Sequence, residues 1–293
     1  MLSILIPTYN YSITALVNEV YKQCTQNNIV FEIIAIDDCS TESFLKENRA
    51  INMLENSRLL ENTKNLGRTL SRKLLAETAT FEMLLFLDAD VIPVSENFIK
   101  DYLLYIENKT EVVLGGYAYT DNPPESDKML RYMYGKEREE QPASVRNKTP
   151  YGYVFSGNIL IRKAIFIKYN YAENENFYGM DVYFSYNLYV NDIPVIHIDN
   201  PIYHLGLEKN EVFFKKSIEA VAVRHKLLHK TPDIDAVNGL MKYYKKLSKV
   251  GLKKVVGIGF KITEPILKRM ILKKKPNLFF LDIYRLGYIC TLK

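Results

Sequence analysis

Asp88 and Asp90 stand one residue apart at the end of the apolar run Met83-Leu84-Leu85-Phe86-Leu87. Two carboxylates that close repel each other, so a site that keeps both ionised supplies a cation, and hard oxygen ligands suit Mg²⁺ or Mn²⁺. Such an ion would in turn hold a substrate phosphate. The run before them reads as a buried strand, which puts the pair at a strand's C-terminal edge, where open α/β sheets bind ligands. An isolated Asp-x-Asp is also a common solvated turn, so the meaning of the pair depends on its neighbours.

The elements that must position these groups are visible as apolar runs and helical spacings. Residues 2–6 and 32–37 read as short buried strands ending in polar or turn residues, with Asp37 and Asp38 closing the second. Between them Ile13, Leu16, Val17 and Val20 fall at helical spacing over 12–28, and strand, helix and strand make the βαβ unit of a parallel sheet. Leu70, Leu74 and Leu75 repeat the helical spacing over 67–79 and lead into the 83–87 strand, and Val112-Val113-Leu114 continues the sheet. Regular alternation is lost from Tyr117 to Leu205. There Pro123, Pro124, Pro142 and Pro150 surround a charged helical piece, Glu125 to Glu140, as expected of a long excursion over a site. Beyond Glu208 the chain reads as mainly helical.

The 293 residues allow one large or two small domains, and 47% hydrophobic with 25% charged residues is ordinary for a globular protein. Cys24, Cys39 and Cys290 are odd in number and lack C-x-x-C spacing, which suggests neither a disulfide framework nor a zinc site and fits a reducing compartment. The N-terminal Met1-Leu2-Ser3-Ile4-Leu5-Ile6-Pro7 has no basic n-region and reads as a strand, and no run approaches the ~18 apolar residues of a membrane span. A cytoplasmic location is the expectation. Charge is uneven: from Lys242 onward 14 Lys and Arg oppose only Glu264 and Asp282, while the rest of the chain, with 25 basic and 32 acidic residues, is net −7. A basic segment with interleaved apolar residues reads as a nucleic-acid binder, a solvated helical face, or an attachment to an anionic membrane surface.

Each strand of the first half ends in a polar signature, and the signatures come in a recognisable order. Ile4 to Asn10, Ala35-Ile36-Asp37-Asp38-Cys39-Ser40-Thr41, Asn65-Leu66-Gly67-Arg68-Thr69-Leu70-Ser71-Arg72 and Asp88-Ala89-Asp90 together resemble glycosyltransferase family 2. The match extends through Phe155-Ser156-Gly157-Asn158, through Phe177-Tyr178-Gly179-Met180-Asp181-Val182-Tyr183-Phe184, and to Pro201-Ile202-Tyr203-His204-Leu205-Gly206, covering roughly residues 1–210. The resemblance implies an α/β fold of GT-A type, a Rossmann-like mixed sheet flanked by helices, with a mainly helical basic C-terminal extension. Its expected divisions are a nucleotide-sugar-binding half over 1–115, an acceptor and catalytic half of the same domain over 116–207, and the extension over 208–293.

The resemblance also implies roles. Pro7, Thr8 and Tyr9 would line the nucleoside slot, and one carboxylate of Asp37-Asp38 would accept from a pyrimidine N–H. Arg68 or Arg72 would face the diphosphate, where a guanidinium makes charge-assisted contacts. Asp88, with Ala89 beside it, would sit nearer the sugar, and Asp90 would ligate the divalent ion, Mg²⁺ or Mn²⁺, with His204 as a further ligand or a histidine satisfied within the fold. His197, in a strand-like run, is expected to pack. Gly157 would let the backbone pass close to the donor, and the Asn158 amide would contact a sugar. Tyr117, Tyr119, Tyr132, Tyr134, Tyr151, Tyr153 and Phe155 could stack on an acceptor, although packing is the commoner role for such rings. Asp181 would be the general base that takes the acceptor hydroxyl's proton, or a helix N-cap, or both. Relatives commonly carry Glu-Asp where this chain has Met180-Asp181.

The implied activity is an inverting, metal-dependent transfer of a sugar from a nucleoside diphosphate, expected to be UDP, to a saccharide or lipid-linked saccharide in cell-surface polysaccharide or lipopolysaccharide synthesis. Two alternatives stand beside it: transfer to a polyprenyl phosphate, and a catalytically silent sugar-nucleotide-binding subunit, which the loss of the carboxylate at Met180 would fit. The basic tail would hold the protein peripherally on the inner face of the cytoplasmic membrane, at about 1 kcal/mol per nearby Lys or Arg. No nucleic-acid partner is expected, since no recognition motif is present.

Overall fold

The computed structural model describes residues 1–108, 110–171 and 177–293. Strand and helix alternate through β1 (Leu2–Thr8), α1 (Thr14–Gln26), β2 (Phe31–Asp37), α2 (Glu42–Asn48), β3 (Ser57–Glu61), α3 (Arg68–Thr78) and β4 (Met83–Leu87). The strands are continuous apolar runs because both their faces are covered. Side chains alternate between those faces: Ile4 and Ile6 of β1 pack with Leu16, Val17 and Val20 of α1, while Leu5 packs with Leu75 and Ala76 of α3. The same parity divides β2 and β4, with Ile33, Ala35, Leu85 and Leu87 on the α1 side and Ile34, Ile36, Leu84 and Phe86 on the α3 side. Each fully buried Leu or Ile contributes about 1.5–3 kcal/mol, and a one-residue slip would exchange the two faces.

The second half follows as β5 (Val91–Pro93), α4 (Phe98–Glu107), β6 (Val112–Leu114), β7 (Tyr117–Ala118), α5 (Met129–Tyr134), α6 (Ala143–Arg146), β8 (Asn158–Arg162), α7 (Lys163–Tyr169), α8 (Asp181–Val190), β9 (Val195–His197) and β10 (Ile202–His204). Strands order as β3-β2-β1-β4-β8-β6-β9 in the main sheet, and β5-β10-β7 form a small second sheet. The 112–114 run does join the main sheet, but β8 lies between it and β4 and runs antiparallel to both. The expected helix over Glu125 to Glu140 is shorter: α5 gives way to a π-helical turn, Gly135–Glu139.

Two features of this topology locate a site. β1 and β2 pair from Leu2↔Phe31 to Thr8↔Asp37, and β1 pairs with β4 from Ser3↔Leu84 to Leu5↔Phe86, so Thr8, Asp37 and Asp88 emerge at one sheet edge. The chain leaves β1 toward β2 and β3, then returns to β4 on the other side, and this switch in strand order opens a crevice at that edge.

The remainder is helical, with α9 (Asn210–Leu228), α10 (Ile234–Val237), α11 (Gly239–Lys249), α12 (Lys253–Ile271) and α13 (Leu278–Thr291). Phe213 and Phe214 of α9 share a core with Leu130 of α5, with Phe260 and Leu267 of α12, and with Leu281 and Tyr284 of α13. The helices are thereby packed onto the excursion that covers the sheet edge. Among the described residues no helix is long and apolar enough to cross a membrane.

Candidate active site

The loops after β1 and β2 leave the sheet side by side and are tied together. The Asn10 N–H donates to Ser40 Oγ at 2.8 Å and the Thr41 N–H to Asn10 Oδ1 at 2.9 Å. Pro7, Thr8 and Tyr9 line a cavity of about 550 Å³ beside them. Of the two neighbouring carboxylates only Asp38 lines it. Its oxygens accept from Asn62 Nδ2 at 2.9 Å and from the N–H groups of Leu66 at 2.8 Å and Gly67 at 2.7 Å. A carboxylate offers about four acceptor positions, so one remains for a ligand. Asp37 is buried behind it, and its Oδ1 holds the Ser40 N–H at 2.7 Å, which fastens the loop instead of lining the cavity.

Gly67, at φ 83°, turns the chain into α3, whose first residue is Arg68. Arg68 and Arg72 are one helical turn apart and therefore share a face. Arg68 Nη2 donates to Asp88 Oδ2 at 2.9 Å, and Arg72 Nη2 donates to Asp88 Oδ1. Burial alone would raise the Asp88 carboxyl; the two guanidiniums outweigh it and hold the group well below the usual carboxylate range. Asp88 is therefore ionised and already neutralised by protein. Gly157 packs against it so tightly that a Cβ would lie 2.2 Å from Tyr117 Oη and 2.3 Å from Asp88 Oδ2.

The demand for a cation falls on Asp90. Its carboxyl is raised, first by burial and then by the Asp88 charge, with His204 and Arg68 opposing. β10 pairs with β5 at His204↔Val91, which brings His204 Nε2 to 3.7 Å from Asp90 Oδ2. Burial, then Arg131, lowers the imidazole and keeps it neutral, the form that ligates metals. Its buried Nδ1 has no hydrogen-bond partner among the described residues. Gly206 follows, and a Cβ there would sit 1.9 Å from Asp90 Oδ2. Among the described residues no three His, Cys, Asp or Glu side chains form a metal-binding group. One carboxylate and one imidazole fit an ion that completes its shell with water and substrate phosphate oxygens, as Mg²⁺ does, and do not fit a closed structural site.

Asp181 is the first residue of α8; the N-cap position belongs to Met180, and no side-chain cap bond forms, so the N-cap expectation for Asp181 is not met. Asp181 lines the large cavity together with Ala89, Asp90, Arg68 and His204, and it also lines a second cavity of about 280 Å³. Met180 is buried against Tyr171 and Val223. Asn158 departs from expectation: its Nδ2 donates to the Gly116 and Asn200 carbonyls at 2.9 and 3.0 Å, and its Oδ1 accepts from Tyr102 Oη at 2.7 Å. Both donors are spent on the framework and the residue lines neither cavity, so it is corrected from a sugar contact to a structural tie.

The aromatic candidates divide. Tyr117 and Phe155 line the large cavity, Tyr134, Tyr151 and Tyr153 line the smaller one, and Tyr119 and Tyr132 are core. His197 packs as expected, accepting from Arg146 Nη1 at 2.9 Å and donating to the Pro150 carbonyl at 2.9 Å. Arg131 and Glu139, which no sequence motif singles out, line both cavities together with Tyr178. Arg131 Nη2 donates to Glu139 Oε2 at 2.9 Å, and Tyr119 Oη donates to the same oxygen. In sequence this pair looks like any charged surface turn, and only the fold buries it.

Comparison with known proteins gives three findings. A family model for glycosyl transferase family 2 matches residues 3–169. An uncharacterized glycosyltransferase of Haemophilus influenzae is 32% identical over 137 residues, which is 43% of this chain and 45% of that protein, so the match spans less than half of the relative's length. Among solved structures, the mannosyltransferase PcManGT from Pyrobaculum calidifontis in complex with GDP-Man and Mn²⁺ superposes with a TM-score of 0.62 at 12% identity, covering 99% of this chain and 86% of that one. S. aureus TarS 1–349 gives 0.56 at 18% identity, covering 98% and 90%. Its complex with UDP-GlcNAc gives 0.53 at 19% identity, again covering 98% and 90%. At these identities the structural likeness speaks for the fold.

Proposed function

This chain belongs to glycosyl transferase family 2 and has the GT-A fold, and from that premise we propose that it is an inverting transferase. It moves a sugar from a nucleoside diphosphate, UDP in our reading, to a hydroxyl of a saccharide or lipid-linked saccharide of the cell surface. The observation that carries this is convergence: Thr8, Asp38, Arg68, Asp88, Asp90, Asp181 and His204 line one cavity although they come from six separate segments of chain.

The nucleoside rests against Pro7, Thr8 and Tyr9, with the remaining acceptor position of Asp38 for the pyrimidine N–H. Arg68, more than half exposed, turns from Asp88 to the diphosphate, while Arg72, 7% exposed, stays and keeps Asp88 ionised to accept from sugar or ribose hydroxyls. Asp90 and His204 would hold Mg²⁺ or Mn²⁺, which neutralises charge on the departing nucleoside diphosphate. Asp181 takes the proton of the acceptor hydroxyl as its oxygen bonds to the anomeric carbon and the bond to the diphosphate breaks on the opposite face. Incubation with UDP-, GDP- and dTDP-sugars and candidate acceptors, with Mn²⁺ or Mg²⁺, tests this. Release of one nucleoside diphosphate, abolished in Asp90→Ala, is expected. Binding without turnover for every donor would favour a silent subunit, and no binding would end the reading.

The reading extends to location. Gly257, Phe260, Leu267 and Ile271 bury one face of α12, yet Val255, Ile258, Ile262 and Ile266 form a second apolar stripe that is 63–74% exposed. Lys254, Lys261 and Lys268 recur beside it every seven residues, and Lys273-Lys274-Lys275 follow its end. An exposed apolar stripe with flanking lysines matches an anionic lipid surface, into which the stripe inserts while the ammonium groups meet headgroups. Cosedimentation with phosphatidylglycerol vesicles but not with neutral ones, lost in Ile258→Glu/Ile262→Glu, is expected. Equal sedimentation of parent and variant would remove the membrane face.

A further inference from the structure

The smaller cavity carries a charge imbalance that the proposed reaction does not use. Arg68, Arg72, Arg131, Arg138, Arg224 and Arg285 all line it, against Glu139 and Asp181 as the only acids among the described lining residues. Four of the six hold a carboxylate at hydrogen-bond distance, although Arg72 Nε and Arg131 Nη1 are themselves buried without a partner among the described residues. Arg68 and Arg72 close on Asp88, Arg131 on Glu139, and Arg138 Nη2 donates to Asp282 Oδ2 at 2.9 Å. Arg285 reaches that same shared carboxylate only at 3.7 Å, and its buried Nε has no partner among the described residues. Arg224 has no salt bridge among the described residues, and its Nε and Nη1 are buried without a hydrogen-bond partner.

Such an arrangement is costly to the free protein. Buried N–H donors are almost always satisfied, and a charged donor left unmatched is among the most expensive exceptions. Burial, and then the neighbouring Arg285 charge, pushes the Arg224 guanidinium down to about 10, with Tyr134 and Asp181 only partly opposing. Neither cation has a carboxylate at hydrogen-bond distance among the described residues, and both face one cavity with free N–H groups. The planar fork of each guanidinium fits the paired oxygens of a phosphate or a carboxylate.

We propose that Arg224 and Arg285 bind an anionic group, a phosphate or a carboxylate, carried by the acceptor. The assignment to the acceptor rests on the transferase reading above and on position. Neither arginine lines the large cavity that holds Thr8, Asp38 and Asp90, whereas both line the smaller one together with Asp181, the residue that takes the acceptor's proton. Gly179, at φ 85°, packs where a Cβ would stand 2.8 Å from Ala220 Cβ, and this close seating of the segment before α8 on α9 brings Arg224 beside Asp181. The acceptor would thus be held by its charge while a nearby hydroxyl is presented to the base.

The test is calorimetric titration of the full chain with sn-glycerol 3-phosphate and with glucuronate, each against its neutral counterpart, glycerol and glucose, in the absence and presence of saturating UDP and Mn²⁺. At least one anionic probe is expected to bind the parent tenfold or more tightly than its neutral counterpart and without displacing UDP. The same probe should lose tenfold or more in Arg224→Gln and in Arg285→Gln. Preference for the phosphate probe identifies a phosphorylated or phosphodiester acceptor, and preference for glucuronate an acidic sugar. The melting temperature of Arg224→Gln should be equal to or above that of the parent, because a buried unmatched charge is removed. Anionic probes that bind no better than neutral ones, that survive both substitutions, or that compete with UDP would overturn the assignment, as would a lowered melting temperature with unchanged probe binding. UDP is titrated separately, so failure of the donor reading is distinguished from failure of the anion site.

Discussion

Two pairs of arginines face the site, and they are built in opposite ways. Arg68 and Arg72 come from one turn of one helix and close on a single carboxylate, Asp88, before any ligand arrives. Arg224 and Arg285 come from α9 and α13; Arg285 reaches Asp282 only at 3.7 Å, and Arg224 has no ion pair among the described residues. The first pair is an ion cluster formed in the free protein, with one positive charge in excess, and in the function proposed above it lends one member to a diphosphate. The second is an imbalance that only a ligand can complete. The difference teaches that charge near a site has to be accounted for donor by donor, since the count of arginines is alike at both poles while their meaning is not.

Chemistry at the junction of the two poles gives the largest effect. Asp181→Asn keeps the shape of α8 and removes the proposed proton acceptor, so transfer is expected to fall by roughly 10²–10⁴ with nucleotide affinity unchanged. The measurement is single-turnover transfer beside UDP titration. Retained transfer would move the base elsewhere and dissolve the link between Asp181 and the acceptor pole. Next in size is a contrast in stability. Asp88→Asn leaves the buried Arg72 without its partner and should cost about 3–5 kcal/mol in urea unfolding. Arg224→Gln, removing a half-buried charge that has no ion pair among the described residues, should cost nothing. Equal losses in the two variants would mean that the arginine pairs are not different in kind.

How far this contrast is visible in the sequence depends on how local its causes are. β1, β2 and β4 are readable because Ile4-Leu5-Ile6, Ile33-Ile34 and Leu84-Leu85-Phe86 need only their own runs to declare themselves. Asp38, Asp88 and Asp90 are readable as the polar ends of those runs. β8 escapes because Ile159-Leu160-Ile161 is too short to separate strand from helix, and its place between β4 and β6 is a matter of pairing. The role of Asn158 is hidden in the sequence because Tyr102, Gly116 and Asn200, which use up its amide, are distant along the chain. Arg224 carries a local signal that its charge obscures: Ala220, Val221 and Leu228, at i−4, i−3 and i+4, are buried, so it falls on the apolar face of α9. Its isolation follows from the packing of α9 on α13.

Acid provides a smaller effect and fixes where the contrast is to be read. His197 and His225 are each lowered to about 4, foremost by burial, against an ordinary value of 6.5. The unfolded chain therefore binds protons below pH 6.5 that the folded chain refuses until about pH 4, so stability is full above that window and declines as pH falls through it. A loss on the order of 2 kcal/mol per histidine between pH 7 and pH 5 is expected, and it should flatten in His197→Gln/His225→Gln. A parent whose urea midpoint is constant over that range would contradict both burials. The Asp88→Asn and Arg224→Gln comparison accordingly belongs above pH 7, where these histidines contribute no slope.

The smallest effect concerns how Asp90 is aimed. Because a Cβ at Gly206 would stand 1.9 Å from Asp90 Oδ2, Gly206→Ala must push that carboxylate from its place 3.7 Å from His204 Nε2. The backbone of Gly206 is not in the left-handed region, so an alanine is tolerated by the chain itself and the strain is confined to the contact. If Asp90 and His204 share a divalent ion, the displacement should raise the Mn²⁺ concentration for half-maximal nucleotide-stabilised binding by about tenfold, the lower end of what disturbing a ligand's support costs. Nucleotide affinity measured without metal should not move, because the proposed Asp38 and Arg68 contacts lie elsewhere on the edge, after β2 and at the start of α3. A variant with an unchanged Mn²⁺ requirement would detach Asp90 from the ion.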